Sequence, residues 1–196
     1  MKNGLIKFPG LRLTTDGLRR SLAATLPAEV LSSADVQHAV AHVETYVYLQ
    51  LDAAGIEGQG KKLQTACRLL CPGAQVIAVQ CTLDLPGRSF GNKAAWHYVV
   101  ETDVRPEAED DFNAWYGTEH MPGLAAVPGT IQTWRYIDSL GSPKYYAAYD
   151  LETLETFGSD PWLAVRGSDW SSRVRPNFFN TKRTMFKKDG GSPGEE

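Results

Sequence analysis

The sequence predicts an α+β fold: two βαββαβ units in tandem, the first a degenerate copy of the second. Three observations predict it. Residues 94–188 alternate strand-like and helix-like patterns in the order β-α-β-β-α-β. Residues 4–87 repeat that order more loosely. Between them, residues 85–95 (LPGRSFGNKAA) carry two glycines, a proline and two charges, the composition of a linker. The expected division is therefore a first unit over 1–88 and a second over 89–188. Residues 189–196 (DGGSPGEE) form a polar, glycine-rich tail expected to be disordered.

In the first half, residues 4–14 read as a strand broken near Pro9. Residues 16–33 read as helix, kinked or split by Pro27, which lacks an N–H and clashes with the preceding turn. Residues 37–52 (QHAVAHVETYVYLQLD) alternate and are Val/Tyr-rich, so they form one long strand or a tight hairpin. Residues 60–71 make a short amphipathic helix, and residues 74–87 another strand. In the second half, residues 94–104 (AAWHYVVETDV) are a strand of aromatic and β-branched residues. Pro106 opens a helix whose first turn holds Glu107, Glu109, Asp110 and Asp111, where negative charge complements the helix dipole. Phe112, Trp115, Tyr116, Glu119 and His120 follow at helical spacing until 127–129 (VPG) stops the segment. Residues 130–139 and 144–152 are strands joined by the turn at 141–143, a hairpin. Helix then spans roughly 153–175 with two interruptions, and residues 178–188 close with a fourth strand. This order is the split βαβ, or ferredoxin-like, arrangement. It covers one face of an antiparallel sheet with helices and leaves the other to be buried, which two stacked units would achieve.

Composition removes several function classes. Net charge is -3, so no positive field exists to hold nucleic acid. No apolar run approaches the ~18 residues of a membrane helix. MKNGLIKFPG has no apolar signal core, so the expected location is cytoplasmic. Cys67 and Cys71, four apart, read as small buried residues, and Cys81 as strand core. His38 and His42 fall on an apparent strand, where four residues span roughly 13 Å, too far to share a metal. No metal site, phosphate-binding loop, dinucleotide fingerprint or nucleophile elbow is present in the sequence.

The chemistry concentrates at AWYGTEHMPG (114–123). Pro122 clashes with the carbonyl of Thr118 and pushes Met121 away from α geometry, so the helix is expected to kink or end there. His120 would then project from the last regular turn, near the negative helix end, which favours imidazolium. Glu119 would raise its proton affinity, and burial among Trp115 and Tyr116 would lower it. His120 is either a structural residue bonding a freed carbonyl or a proton-transfer group, the role histidine suits best near neutral pH.

The strands offer a lining. Trp96, Tyr98 and Val100 share one face against His97 and Val99. Gln132, Trp134 and Tyr136 oppose Ile131, Thr133 and Arg135, while Tyr145, Ala147 and Tyr149 oppose Tyr146, Ala148 and Asp150. The sequence does not say which faces meet the helices. The small Ala147 and Ala148 leave room beside large rings, and buried tyrosines need polar partners that a ligand would supply. Trp162, Arg166 and Trp170 align at helical spacing, either as surface cation–π contacts or with Arg166 or Arg173 receiving an anionic group.

FNAWYGTEHMPGLAAVPG, TWRYI, PKYYAAYDLE and WSSRVRPNFFNTKR together resemble the EthD-like branch of the dimeric α+β barrel superfamily, over roughly residues 96–187. That family's first helix carries Trp-Tyr, Glu-His-x-Pro and a closing Val-Pro-Gly, here Trp115, Tyr116, Glu119, His120, Pro122, Val127, Pro128 and Gly129. The first half lacks these elements, so the resemblance implies one site. It implies tandem repeats of dimeric α+β barrel type. It does not choose among the superfamily's cofactor-free monooxygenases, muconolactone-type isomerases, polyketide cyclases, haem enzymes and members of no known activity. Haem is not expected, because no histidine lies in the late helix or fourth strand.

The expected function is a cofactor-independent enzyme acting on a small apolar or aromatic metabolite. It would be of isomerase, cyclase, dehydratase or lyase type, with His120 as general acid/base. Tyr116 and Tyr98 would orient the substrate or polarise its carbonyl. Trp115, Glu119, Trp96, Trp134, Tyr136, Tyr146 and Trp162 would bind it. The alternatives are a non-catalytic small-ligand or accessory protein of an oxidative degradation pathway, and a cofactor-free monooxygenase. The partner is a small molecule, and both a monomer and a homodimer stay open.

Overall fold

The computed structural model describes residues 2–51 and 53–190, for 53–59 the backbone alone. The chain divides into two compact units, Met1–Gln80 with Met185–Glu196, and Cys81–Thr184. Among the described residues no helix is long and apolar enough to cross a membrane.

The first unit runs β1 (Gly4–Pro9), α1 (Thr15–Leu22), α2 (Ala28–Ser32), β2 (Asp35–Ala39), β3 (Glu44–Leu49), α3 (Ala53–Leu70) and β4 (Gln75–Ala78). Its strands lie in the order β4-β1-β3-β2, all antiparallel. Thr14 caps α1 by accepting the Gly17 N–H, and Pro27 separates α1 from α2 as expected. The stretch expected at 37–52 resolves as the hairpin of β2 and β3, with Val36 opposite Val47, and residue 52 lies outside the described residues. Ile6, Phe8, Leu18, Leu22, Val47, Leu63 and Cys67 fill the core between sheet and helices. Cys67 and Cys71 are free and buried, and the Cys71 thiol donates to the Pro9 carbonyl at 3.1 Å. His38 and His42 do not share a strand. His42 sits in the hairpin turn 2.9 Å from Glu44, and His38 bonds the Leu13 carbonyl at 3.1 Å. The closing strand of the chain lays its last residues beside β2, Lys188 opposite Gln37. Of the expected disordered tail, 191–196 lie outside the described residues. Asp189, by contrast, is bonded: its N–H donates to Val36 and its carboxylate accepts the Thr15 N–H.

The single strand expected at 74–87 is two. The chain changes partner at Val79, whose N–H bonds the Asn3 carbonyl, so β4 pairs with β1 and the next strand lies in the second unit. Cys81, expected in the core, is only half-buried there.

The second unit runs β5 (Gln80–Pro86), β6 (Trp96–Val104), α4 (Glu109–Trp115), α5 (Met121–Ala125), β7 (Thr130–Ile137), β8 (Tyr145–Leu151), α6 (Asp160–Arg166), α7 (Asp169–Val174) and β9 (Phe178–Lys188). Its strand order β9-β6-β8-β7 repeats that of the first unit, with β5 added beyond β7. Both units are therefore ferredoxin-like, and the predicted α+β class holds.

Register settles which face is which. Tyr98, Tyr149 and Thr133 form one cross-strand row, and Val100, Ala147 and Arg135 the next. These rows meet the helices: Tyr149 and Tyr98 pack on Trp162, and the Arg135 guanidinium sits 4.7 Å from the centre of the Tyr116 ring. His97, Asp150 and Gln132, then Val99, Ala148 and Trp134, then Glu101, Tyr146 and Tyr136, form the rows of the opposite face. Two glycines sit where a side chain does not fit. A Cβ on Gly123 would stand 2.9 Å from Val165 of α6. Gly129, at φ +89°, ends the α5 segment in a conformation that a side chain rarely adopts.

Candidate functional site

The site grows from the way the chain passes Pro122. Between α4 and α5, residues Tyr116–His120 form one wide π turn, in which the Met121 N–H reaches back five residues to the Tyr116 carbonyl. Met121 and His120 keep right-handed helical dihedrals. The expected terminus is thus absent: the helix runs on through Pro122. The π turn shifts the hydrogen-bond ladder ahead of the proline, which sits in the first turn of α5 where a missing N–H costs little. His120 is consequently inside a continuing helix, and no helix end lies beside it to favour imidazolium.

The turn aims its rings at the sheet. Trp115, Tyr116 and His120 are buried, and the His120 ring stacks on Trp115 at 4.1 Å between centroids and 23° between planes. Tyr116 meets the same imidazole edge-on at 5.4 Å. His120 Nδ1 is enclosed and has no hydrogen-bond partner, which removes the structural reading in which it bonds a freed carbonyl. Burial first, then the positive charge of Arg175 and Arg166, pushes the His120 pKa down to about 3. The ring is therefore neutral in the folded protein. Glu119 does not offset this: its carboxylate accepts the Ser168 hydroxyl instead.

His120 lines a cleft together with Tyr98, Trp115, Tyr116, Tyr149 and Trp162, closed by Phe178 and three arginines, Arg166, Arg175 and Arg183. Counted out to its open mouth, the cleft has an empty volume of about 360 Å³. Burial raises the hydroxyl pKa of Tyr116 to about 12 and raises those of Tyr98 and Tyr149, so all three remain donors at neutral pH.

Of the residues singled out from sequence, the structure brings His120, Tyr116, Tyr98, Trp115 and Trp162 to this cleft. Trp134, Tyr136 and Tyr146 lie on the opposite sheet face, Trp96 stands at the start of β6 away from the lining, and Glu119 turns to Ser168. Arg166 reaches the cleft, whereas Arg173 is taken up by Asp111 at 2.8 Å and lies over Trp170. Sequence reasoning missed Tyr149, Phe178, Arg175 and Arg183. Only the strand alternation that pairs Tyr149 with Tyr98 signalled any of them. Among the described residues no cluster of three His, Cys, Asp or Glu side chains is placed to hold a metal.

The buried imidazole makes stability pH-dependent. In the unfolded chain His120 takes a proton below about 6.5, but in the folded chain not until about 3. Between these values the unfolded state binds more protons, so stability falls as pH falls from 6.5 towards 3 and this contribution is flat above 6.5. From pH 7 to 4.5 the wild type should lose roughly 2 kcal/mol more than His120→Leu in urea unfolding. Equal losses would show that the ring is not held neutral.

No protein-family model matches the sequence, and none of the curated proteins compared does. Solved structures do match in fold. A candidate monooxygenase from Fusobacterium nucleatum superposes with a TM-score of 0.64 at 10% identity, over 95% of this chain and 91% of that one. An anthrone oxidase-like protein gives 0.60 at 12%, over 96% and 92%. A ferredoxin-fold protein of Listeria monocytogenes related to antibiotic biosynthesis monooxygenases gives 0.57 at 9%, over 95% of both chains. At such identities the likeness is one of fold alone, the ferredoxin-like fold.

Proposed function

We propose that this chain is a cofactor-independent enzyme in which His120 takes a proton from a small aromatic or enolisable substrate held in the cleft. One observation carries the proposal: a neutral imidazole with an unpartnered Nδ1, stacked on Trp115 at the wall of a ring-lined cleft. In the empty cleft the imidazole is a weak base, because burial and two arginines oppose its charging. A substrate anion forming beside it cancels that field and raises its proton affinity, so transfer is favoured only as the anion develops. Tyr98 and Tyr116, kept protonated by burial, donate to the substrate oxygen where that charge accumulates. Trp115 and Trp162 flank the ring. The proton then returns to another atom, which is isomerisation, or a leaving group departs, which is lyase or dehydratase chemistry. The Glu-His-x-Pro pattern supports placing the second unit in the EthD-like branch, though it does not name the reaction.

A second reading is cofactor-free monooxygenation, in which the same carbanion meets dioxygen instead of a proton. The descriptions of two structural neighbours as a candidate monooxygenase and a relative of antibiotic biosynthesis monooxygenases, and of a third as anthrone oxidase-like, favour it. The experiment separates the two with enolisable probes. With 2-indanone in D2O, wild-type protein should accelerate deuterium exchange at the CH2 groups, followed by NMR. With anthrone in air, oxygen uptake above the spontaneous rate would favour monooxygenation. Binding of both probes with neither exchange nor uptake would leave a ligand-binding protein.

A further inference from the structure

Three guanidinium groups line the cleft: Arg166 at the end of α6, Arg175 directly after α7, and Arg183 on β9. Among the described residues no acidic side chain lines it with them. Among the described residues none of the three is ion-paired, unlike Arg173, which is bonded to Asp111; Arg135, also without an ion pair, donates to the Asn113 amide oxygen and lies over Phe112, Tyr116 and Tyr145. Arg175 is tied in place by donating from Nη1 to the Arg166 carbonyl at 3.2 Å. The three act on common neighbours. Burial and then Arg166 and Arg183 make Arg175 less basic, and all three favour ionisation of the Tyr98 hydroxyl against a larger burial effect.

A second, independent feature lies deeper. Tyr149 Oη, His120 Nδ1 and the indole N–H groups of Trp115 and Trp162 are enclosed without partners, although each belongs to a side chain lining the cleft. Gathering like charges in a partly dry recess is unfavourable unless an anion joins them. The chain's net charge of -3 shows that this concentration is local. The geometry points to an aromatic carboxylate as ligand, its carboxylate held by Arg175 and Arg166 and its ring placed between Trp115, Tyr98 and Trp162. This deepens the proposed function, on whose use of the cleft it rests, by naming the substrate class. Guanidinium forks match a planar carboxylate bidentately, and the empty volume of about 360 Å³, open at its mouth, has room for a ring beside them.

The test is binding, measured without turnover. 4-Fluorobenzoate should bind the full chain at least about tenfold more tightly than its neutral isostere 4-fluorobenzyl alcohol, read by 19F NMR, because the alcohol cannot form the charge-assisted bidentate bonds to guanidinium. Arg175→Gln and Arg166→Gln should each erase most of that preference while leaving the alcohol's affinity unchanged. His120→Gln should keep carboxylate binding, so a failure of proton transfer and a failure of anion recognition give different results. Equal binding of acid and alcohol to wild type overturns the inference and needs no variant that folds. So does inorganic phosphate binding as tightly as 4-fluorobenzoate, which would mean an anion site without use for the ring.

Discussion

Replacing His120 with glutamine lowers the wild-type rate of 2-indanone exchange by about 10²–10⁴-fold, the usual range for losing a positioned acid or base. Glutamine fills similar space against Trp115 and can hydrogen-bond, but it cannot carry a proton between atoms. Substrate affinity should change little, because the ring contacts come from Trp115, Tyr98 and Trp162 and remain. The loss therefore appears in kcat. Tyr116→Phe provides a contrast: removing one donor hydroxyl should cost less and should not abolish exchange. A His120→Gln protein that melts like wild type and exchanges the probe at the wild-type rate would end the proton-transfer role.

The largest effect on stability is expected at Trp162. It is fully buried, 5.4 Å from the Tyr149 ring, 5.6 Å from Phe157 and 6.3 Å from Tyr98. Truncation to alanine removes these contacts and leaves a void that the sheet cannot close, since Tyr98 and Tyr149 are fixed by strand pairing. The cost should be about 3–5 kcal/mol. At 2–4 °C per kcal/mol for a chain of this size, the melting temperature should fall by roughly 10 °C. Trp162→Phe should recover more than half. Its indole N–H has no partner, so the loss is one of packing and not of a hydrogen bond. A cost below about 1 kcal/mol, measured in urea, would show that the cleft wall relaxes freely.

Much of this was written into the sequence. Aromatic and β-branched strands, an acid-rich helix start and turns at Gly141–Pro143 and Pro128–Gly129 gave the order of elements, and that order repeats in both units. The rings around His120 followed from helical spacing. What could not be read depended on long-range pairing. β7 gathers its large rings, Trp134 and Tyr136, on one face while β8 carries tyrosines on both, so alternation alone could not choose the helix side, and Trp134, Tyr136 and Tyr146 fell opposite the cleft once register was known. The break at Val79 is invisible locally because QVIAVQCTLDL is one unbroken strand-like run; only its two partners separate it. The arginines were hidden for a different reason. Arg166, Arg175 and Arg183 come from α6, the segment after α7, and β9, and nothing local marks which of the region's basic residues converge.

The wide turn at Tyr116–His120 also sets a phase. It winds one residue more than an α-helix would use, and a single residue rotates everything downstream by about 100°. Met121, Leu124 and Ala125 face the interior only because that surplus residue is present. Gly117 and Thr118, both exposed, are therefore open to exchange for other amino acids but not to removal. In descendants of this sequence, drift at these two positions should be common and a change of length between Trp115 and Pro122 rare.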